Sequence, residues 1–349
     1  MNLVLKLPIK IAIISCIFLH FMDNKKLQIK VLKFSDSLNK EWDEFVLSSY
    51  NGTIFHLRKF LSYHIERKFD DNSLVFIKKK KIIAVLPAAL IKSSKGNMLK
   101  SHPGASYGGF VYKKLSFNNC DLILKSLDKY CLSNNIKSIF LIPTPQLYYN
   151  NYNENLLYAM LWNNYKIVES YISSIVDLQS CSDTIDCLSD RKKRYINKID
   201  NNIHVKWTKD IDSFYPIFVS IKKIHGVKPT HTLEELKTLI KIMPDSFSLL
   251  MTYYNNIPIG GTFNFITNKK VLLVFYNMID YQYQKYHPAT YQLYKVLEWS
   301  KIKKFHFVDF GVSQRATKLD TLSPHYSLIN FKEQFGSNGM LRIALQKTF

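Results

Sequence analysis

One order of elements is legible twice along this chain, and that doubling constrains the fold more than any single motif. In the first half, residues 27–34 read as a strand, and Leu38, Trp42, Phe45 and Val46 then fall at helical spacing. Asn51-Gly52 marks a turn, and Thr53 opens a second helix expected to run to His64. A hairpin at 74–78 and 82–91 follows, then a glycine-punctuated loop at 102–110 (HPGASYGGF), a helix at 119–134 and a strand at 136–142. The second half repeats the order. A helix at 213–225 stops at Gly226, and Thr232 with Glu235 forms a capping box for the next helix. A hairpin at 248–254 and 257–267 turns on Asn255-Asn256, and a strand at 271–280, a helix at 288–304 and a strand at 305–310 complete the set. Two copies of one mixed α/β unit is the economical reading. The expected units are 22–180 and 181–349, joined near 175–190, where a polar stretch precedes a basic helix at 183–199.

A length of 349 residues suits roughly two domains of about 150 residues. The net charge of +21 invites a nucleic-acid reading, but only six of the 48 basic residues are Arg. Lysine spread over every surface, beside abundant Ile, Asn and Tyr, fits an AT-rich coding sequence better than a DNA reader, which concentrates its charge on one face. DNA is therefore not an expected partner, whereas acidic ligands are favoured and peripheral contact with a membrane surface is compatible with the charge. Five cysteines include no C-x-x-C pair and no metal-ligand spacing, so no metal site is expected and reduced thiols in the cytoplasm fit best. Residues 1–21 are apolar but interrupted by Lys6, Pro8 and Lys10, and no small-x-small cleavage site follows. The uninterrupted stretch is about 12 residues, short of the roughly 20 a membrane span needs. A true start at Met22 is the favoured reading, with a membrane anchor or a secretory signal as alternatives.

Several segments can carry chemistry. In the basic helix, Arg191, Arg194 and Lys198 form a stripe, and two arginines one turn apart can clamp a phosphate; the bland reading is a solvated face. Gln284 to Ala289 sits between a strand and a helix, where a helix N-terminus receives phosphate, and His287 is a candidate proton carrier there. Pro at the first helical position of a plain turn explains the same letters. Asp309 stands at the C-terminal end of a buried-looking strand, either as a general base or as a cap of the next turn. Lys332 lies between two aromatics near the C-terminus, where it can stabilise an oxyanion or simply be solvated. The loop at 102–110 permits close backbone approach to a ligand; Tyr107 and Gly108 in it, with Tyr276, are the acceptor-binding candidates. Nucleotide-hydrolase, zinc-protease, serine-hydrolase and redox signatures are absent.

Taken in order, WDEFVLSSYNGTIFHLRKFLSYH, LPAAL with SHPGASYGGF, RKKRYINKI, IPIGGTFNF, the VFYNMIDYQYQKYHPATYQLYKVLEWSKIKKFHFVDFG run and INFKEQFGSNG resemble the FemAB-related, BioF2-like branch of GNAT-fold acyltransferases. The resemblance covers about residues 27–345. It implies two tandem GNAT-like domains with a cleft between them, and acyl transfer from acyl-CoA to an amine on a cell-envelope or polysaccharide precursor. Aminoacyl-tRNA is the alternative donor, as in peptidoglycan-bridge enzymes, although no long helical arm interrupts the second half. A non-enzymatic RNA-binding or scaffold protein is the other alternative. By resemblance, Lys332 in its F-K-x-x-F-G stretch lies near the reacting groups and Arg194 contacts phosphate. The GNAT loop Q/R-x-x-G-x-G/A corresponds to Gln284–Ala289, with His287 and Pro288 in place of the central Gly and its neighbour; Pro288 has no N–H to offer a pyrophosphate.

Overall fold

The computed structural model describes residues 28–64, 67–94, 96–314 and 322–349. The apolar leader at 1–21 and the start at Met22 lie outside them. The first half contains β1 (Lys30–Lys33), α1 (Asn39–Leu47), α2 (Arg58–Leu61), β2 (Leu74–Lys78), β3 (Lys81–Leu86), β4 (Ala88–Ile91), β5 (Asn97–Ser101), β6 (Val111–Tyr112), α3 (Phe117–Ser133), β7 (Ile136–Leu141), α4 (Asn155–Trp162) and β8 (Lys166–Asp177). The second contains α5 (Asp190–Asn197), β9 (Ile203–Thr208), α6 (Ile211–Ile224), α7 (Leu233–Ile242), β10 (Phe247–Tyr254), β11 (Ile257–Ile266), β12 (Val271–Ile279), α8 (Pro288–Ile302), β13 (Phe307–Val312), α9 (Tyr326–Glu333) and β14 (Ser337–Thr348).

Local chemistry places these boundaries. The Ser116 hydroxyl accepts from Asn119 N at the start of α3, which buries Cys120, Ile123, Leu124, Leu127 and Cys131 on one face. Thr232 and Glu235 form the expected capping box of α7. Asn255 and Asn256 both adopt left-handed backbone, as a tight turn between β10 and β11 requires.

Four expectations are corrected. The helix expected from Thr53 to His64 is a 3-10 turn, Ile54–His56, followed by the single-turn α2, because His56 folds its ring back to cap Thr53 and Leu57 is extended. The strand expected at 82–91 is two strands: Pro87 has no N–H for the ladder, and there the chain passes from one sheet to the other. The basic helix begins at Asp190 rather than 183, with Ser189 as its cap. The residues before it form a turn that brings Cys181 and Cys187 together in a disulfide, with Cα atoms 5.7 Å apart. The expectation of reduced thiols thus holds for buried Cys120 and Cys131 and fails for this pair.

The strands form two sheets. A small one has the order β1-β2-β3-β6, and a ten-stranded one runs β4-β5-β7-β14-β8-β13-β12-β11-β10-β9. The last strand, β14, lies between β7 and β8 and pairs antiparallel with both, so the C-terminus is woven into the first half's sheet. A further link is a core cluster in which Phe55, Phe60, Tyr63 and Tyr107 meet Phe214, Phe218, Leu236 and Phe265. Among the described residues no helix is long and apolar enough to cross a membrane.

Candidate functional site

β12 and β13 run parallel and pair only from Val271↔Phe307 to Leu273↔Asp309, although β12 continues to Ile279 and β13 to Val312. The strands separate at Asp309. Its side chain is fully buried, and its carboxylate accepts from Tyr148 Oη (2.7 Å), Tyr107 Oη (3.4 Å), Ser173 Oγ (2.6 Å) and Gly311 N (2.6 Å). Burial first, and the Asp309 charge second, holds the Tyr148 hydroxyl well above the ordinary tyrosine range. Every lone-pair direction of Asp309 faces an internal donor. The residue organises a knot of four segments, three of them from the first half.

Lys332, on α9, is nearly buried and completes the same turn. Its Nζ donates to Gly311 O (2.7 Å), Val312 O (3.1 Å) and Ser313 Oγ (2.8 Å), which uses all three ammonium protons. Burial pulls its pKa down to about 8, against the opposing pull of the Asp309 charge. Gly311 has φ +73°, a conformation that favours glycine, and this lets the chain bend between the two braces. Asp309 and Lys332 are thus brought to opposite sides of one loop.

An open cleft lies at the start of α8 and reaches Phe331, the neighbour of Lys332 on α9. One part, about 520 Å³, is lined by Arg191, Lys192, Gln284, Lys285, His287 and Ala289 among others. A second, about 580 Å³, shares Gln284 and Phe331 with the first and adds Lys222, His225 and His325. Among the described residues, neither lining includes an Asp or Glu. The charged side chains that line it are therefore all basic. Lys192 is its most constrained member: 4% exposed, with Nζ 3.0 Å from Thr290 Oγ1 and 4.1 Å from the Phe331 ring centroid. Burial, with the Arg191 charge adding, lowers its pKa to about 8. His287 is a left-handed residue whose ring stacks on Tyr195 at 3.7 Å between centroids. Burial and the Lys192 and Arg191 charges lower its pKa, so it is mostly neutral at pH 7.

The structure brings Arg191, Gln284, His287 and Ala289, candidates from two separate segments, into one cleft lining. Arg194, by contrast, is exposed and is not among the cleft's lining residues. The stripe reading missed Lys192, because one lysine of 42 carries no compositional signal; its place between two arginines on an amphipathic helix was the available clue. Tyr107 reaches Asp309, whereas Tyr276 lies apart, with its hydroxyl 2.6 Å from His231 Nδ1 in the core joining the halves. Gly108 packs tightly: a Cβ there would lie 2.6 Å from the Ser101 Cβ. Sequence reading also missed Tyr148 and Ser173, since nothing local marks a residue whose partner is 161 or 136 positions away.

No family model matches the chain, and no curated protein matches it by sequence. Solved structures do match in fold. FemX superposes with a TM-score of 0.69 at 12% identity, covering 92% of this chain and 97% of its own. The C-terminal domain of a putative lysylphosphatidylglycerol synthetase from Agrobacterium fabrum gives 0.59 at 8%, covering 90% and 93%. A tandem GNAT protein from the clavulanic acid biosynthesis pathway gives 0.51 at 9%, covering 92% and 98%. The chain thus has a mixed α/β fold of the tandem GNAT kind.

Proposed function

We propose that this protein is an acyltransferase which holds a phosphate-bearing acyl donor in the cationic cleft and passes the acyl group to an amine of a cell-envelope or polysaccharide precursor. Acyl-CoA is the leading donor and aminoacyl-tRNA the alternative. The observation that carries the reading is a cleft against the end of β12 (Asn277–Ile279), beyond its last pair with β13, whose charged side chains among the described residues are all basic: cations and a helix N-terminus for phosphates, beside a strand end that β13 does not pair. The shared fold with FemX, a lysylphosphatidylglycerol synthetase and a tandem GNAT protein supports it.

In the transfer, the amine nitrogen bonds to the acyl carbon and the C–S or C–O bond to the donor breaks. The amine must shed a proton, and the leaving thiolate or ribose oxygen takes one up. His287, neutral and in the cleft, is the group suited to accept the amine's proton. Lys192 and Arg191 hold donor phosphates. Asp309 and Lys332, saturated by internal bonds, act as positioning residues that fix the Gly311–Ser313 turn.

The test is transfer of labelled acetyl from acetyl-CoA, and of label from charged tRNA, to a panel of amino sugars and amino acids. His287→Ala should lower turnover by roughly 10²-fold. Absence of transfer from both donors, with donor binding retained, favours the second reading, a ligand-binding scaffold; the saturation of Asp309 and Lys332 is the observation on its side.

A further inference from the structure

A chain of side-chain hydrogen bonds runs from the core of the second half to the cleft. It begins at Thr252 and Gln292, both fully buried. Thr252 Oγ1 donates to Gln292 Oε1 at 2.8 Å. Gln292 Nε2 donates to Gly261 O (3.3 Å), to Met278 O (3.2 Å) and to Asn277 Oδ1. The backbone of β11 leaves room for this amide: a Cβ on Gly260 would lie 3.2 Å from Gln292 Oε1.

Two backbone carbonyls fix the Gln292 amide, since only its NH₂ can donate to them. That in turn fixes Asn277, which turns its Oδ1 to Gln292 and its own NH₂ away. Among the described residues this NH₂ meets no acceptor, yet it is not buried; it is open to solvent. Asn277 is half-buried and lines the second part of the cleft, on β12 beyond its last pair with β13.

The group left open at the end of the chain is thus an oriented donor. Dipoles aligned from Thr252 through Gln292 reinforce one another, which makes its N–H groups stronger donors than those of a solvated amide. Cations in the same lining suit phosphates, whereas a neutral, fixed N–H suits a carbonyl oxygen on which negative charge grows during reaction.

We infer that Asn277 is a catalytic residue whose NH₂ donates to the carbonyl oxygen of the acyl group being transferred. The inference rests on acyl transfer in the cleft. As the amine nitrogen bonds to the acyl carbon, the carbonyl π pair moves onto that oxygen, and its hydrogen bond from Asn277 strengthens. When the C–S or C–O bond to the donor breaks, the pair returns and the carbonyl re-forms.

The experiment binds acetyl-CoA, and in parallel charged tRNA, each isotope-labelled at its acyl carbonyl, to the full chain and records the infrared spectrum. With whichever donor binds, the carbonyl stretch should fall in the wild type and return to its free value in Asn277→Ala and Asn277→Asp. Alanine leaves Gln292 Nε2 two backbone carbonyls for its two N–H groups, and aspartate keeps the shape of asparagine, so both variants should fold. Transfer should fall roughly 10²-fold in Asn277→Ala, with donor affinity changed by less than about threefold. Wild-type binding and transfer, with a carbonyl stretch and a rate that ignore both substitutions, overturn the inference and leave the acyltransferase reading standing. If neither donor binds the wild type, the two fall together.

Discussion

Lys192→Met is the substitution in which structure and function pull in opposite directions. The ammonium is 4% exposed and its pKa falls from 10.5 to about 8, chiefly through burial. At about 1.4 kcal/mol per pH unit, keeping that charge folded at pH 7 costs up to about 3 kcal/mol. The bond to Thr290 and the contact with the Phe331 ring return about 1 to 2 kcal/mol. Methionine fills similar volume without the charge, so the variant should be more stable by about 1 to 2 kcal/mol at pH 7 in urea unfolding. The folded pKa lies below the unfolded one, so the cost is fully present below pH 8 and fades as pH rises from 8 to 10.5. The advantage of the variant should shrink over that window. Binding of inorganic pyrophosphate, measured by calorimetry, should weaken about tenfold or more, since a charge-assisted bond contributes about 1.5 to 3 kcal/mol. A variant that is destabilised at pH 7, with unchanged pyrophosphate binding, would refute the argument.

Asp309→Asn replaces a carboxylate that accepts four bonds with an amide whose NH₂ must face a donor, and should cost about 2 to 3 kcal/mol in urea unfolding. Gly108→Ala should destabilise by about 1 to 3 kcal/mol, because its Cβ meets Ser101, and a thermal melt reads the loss. His56, His102 and His231 are held neutral by burial, each with its pKa lowered from 6.5 to about 4. Their folded pKa values lie below the unfolded value, so stability is complete above pH 6.5 and is lost as pH falls toward 4. His231→Gln should flatten the pH dependence of the urea midpoint in that window; an unchanged slope would show that this histidine does not titrate on unfolding.

The doubled order of elements was readable because its parts carry local signals. The capping box at Thr232, the Asn255-Asn256 turn and the apolar face of α3 need only neighbouring residues. β8, β9 and β14 escaped, since β8 mixes exposed and buried positions and the place of β14 between β7 and β8 is set by partners far away. The candidate site divides the same way. Gln284, His287 and Ala289 fall within one six-residue stretch, and Arg191 sits on a recognisable helix, so the sequence marks them. Lys192 is hidden by composition. The roles of Asp309 and Lys332 turn on bonds to Tyr148, Ser173 and Ser313 that only the folded chain supplies. The Cys181–Cys187 bridge likewise depends on a turn rather than on a motif.

Calorimetric titration of acetyl-CoA, with total aminoacyl-tRNA in parallel, tests the central claim most directly. The cationic cleft predicts micromolar binding of at least one donor at low salt, weakened by added salt and by Lys192→Met. If neither donor binds the wild-type chain at low salt, or if binding is indifferent to Lys192→Met, the cleft is not a donor site and the acyltransferase reading falls with it.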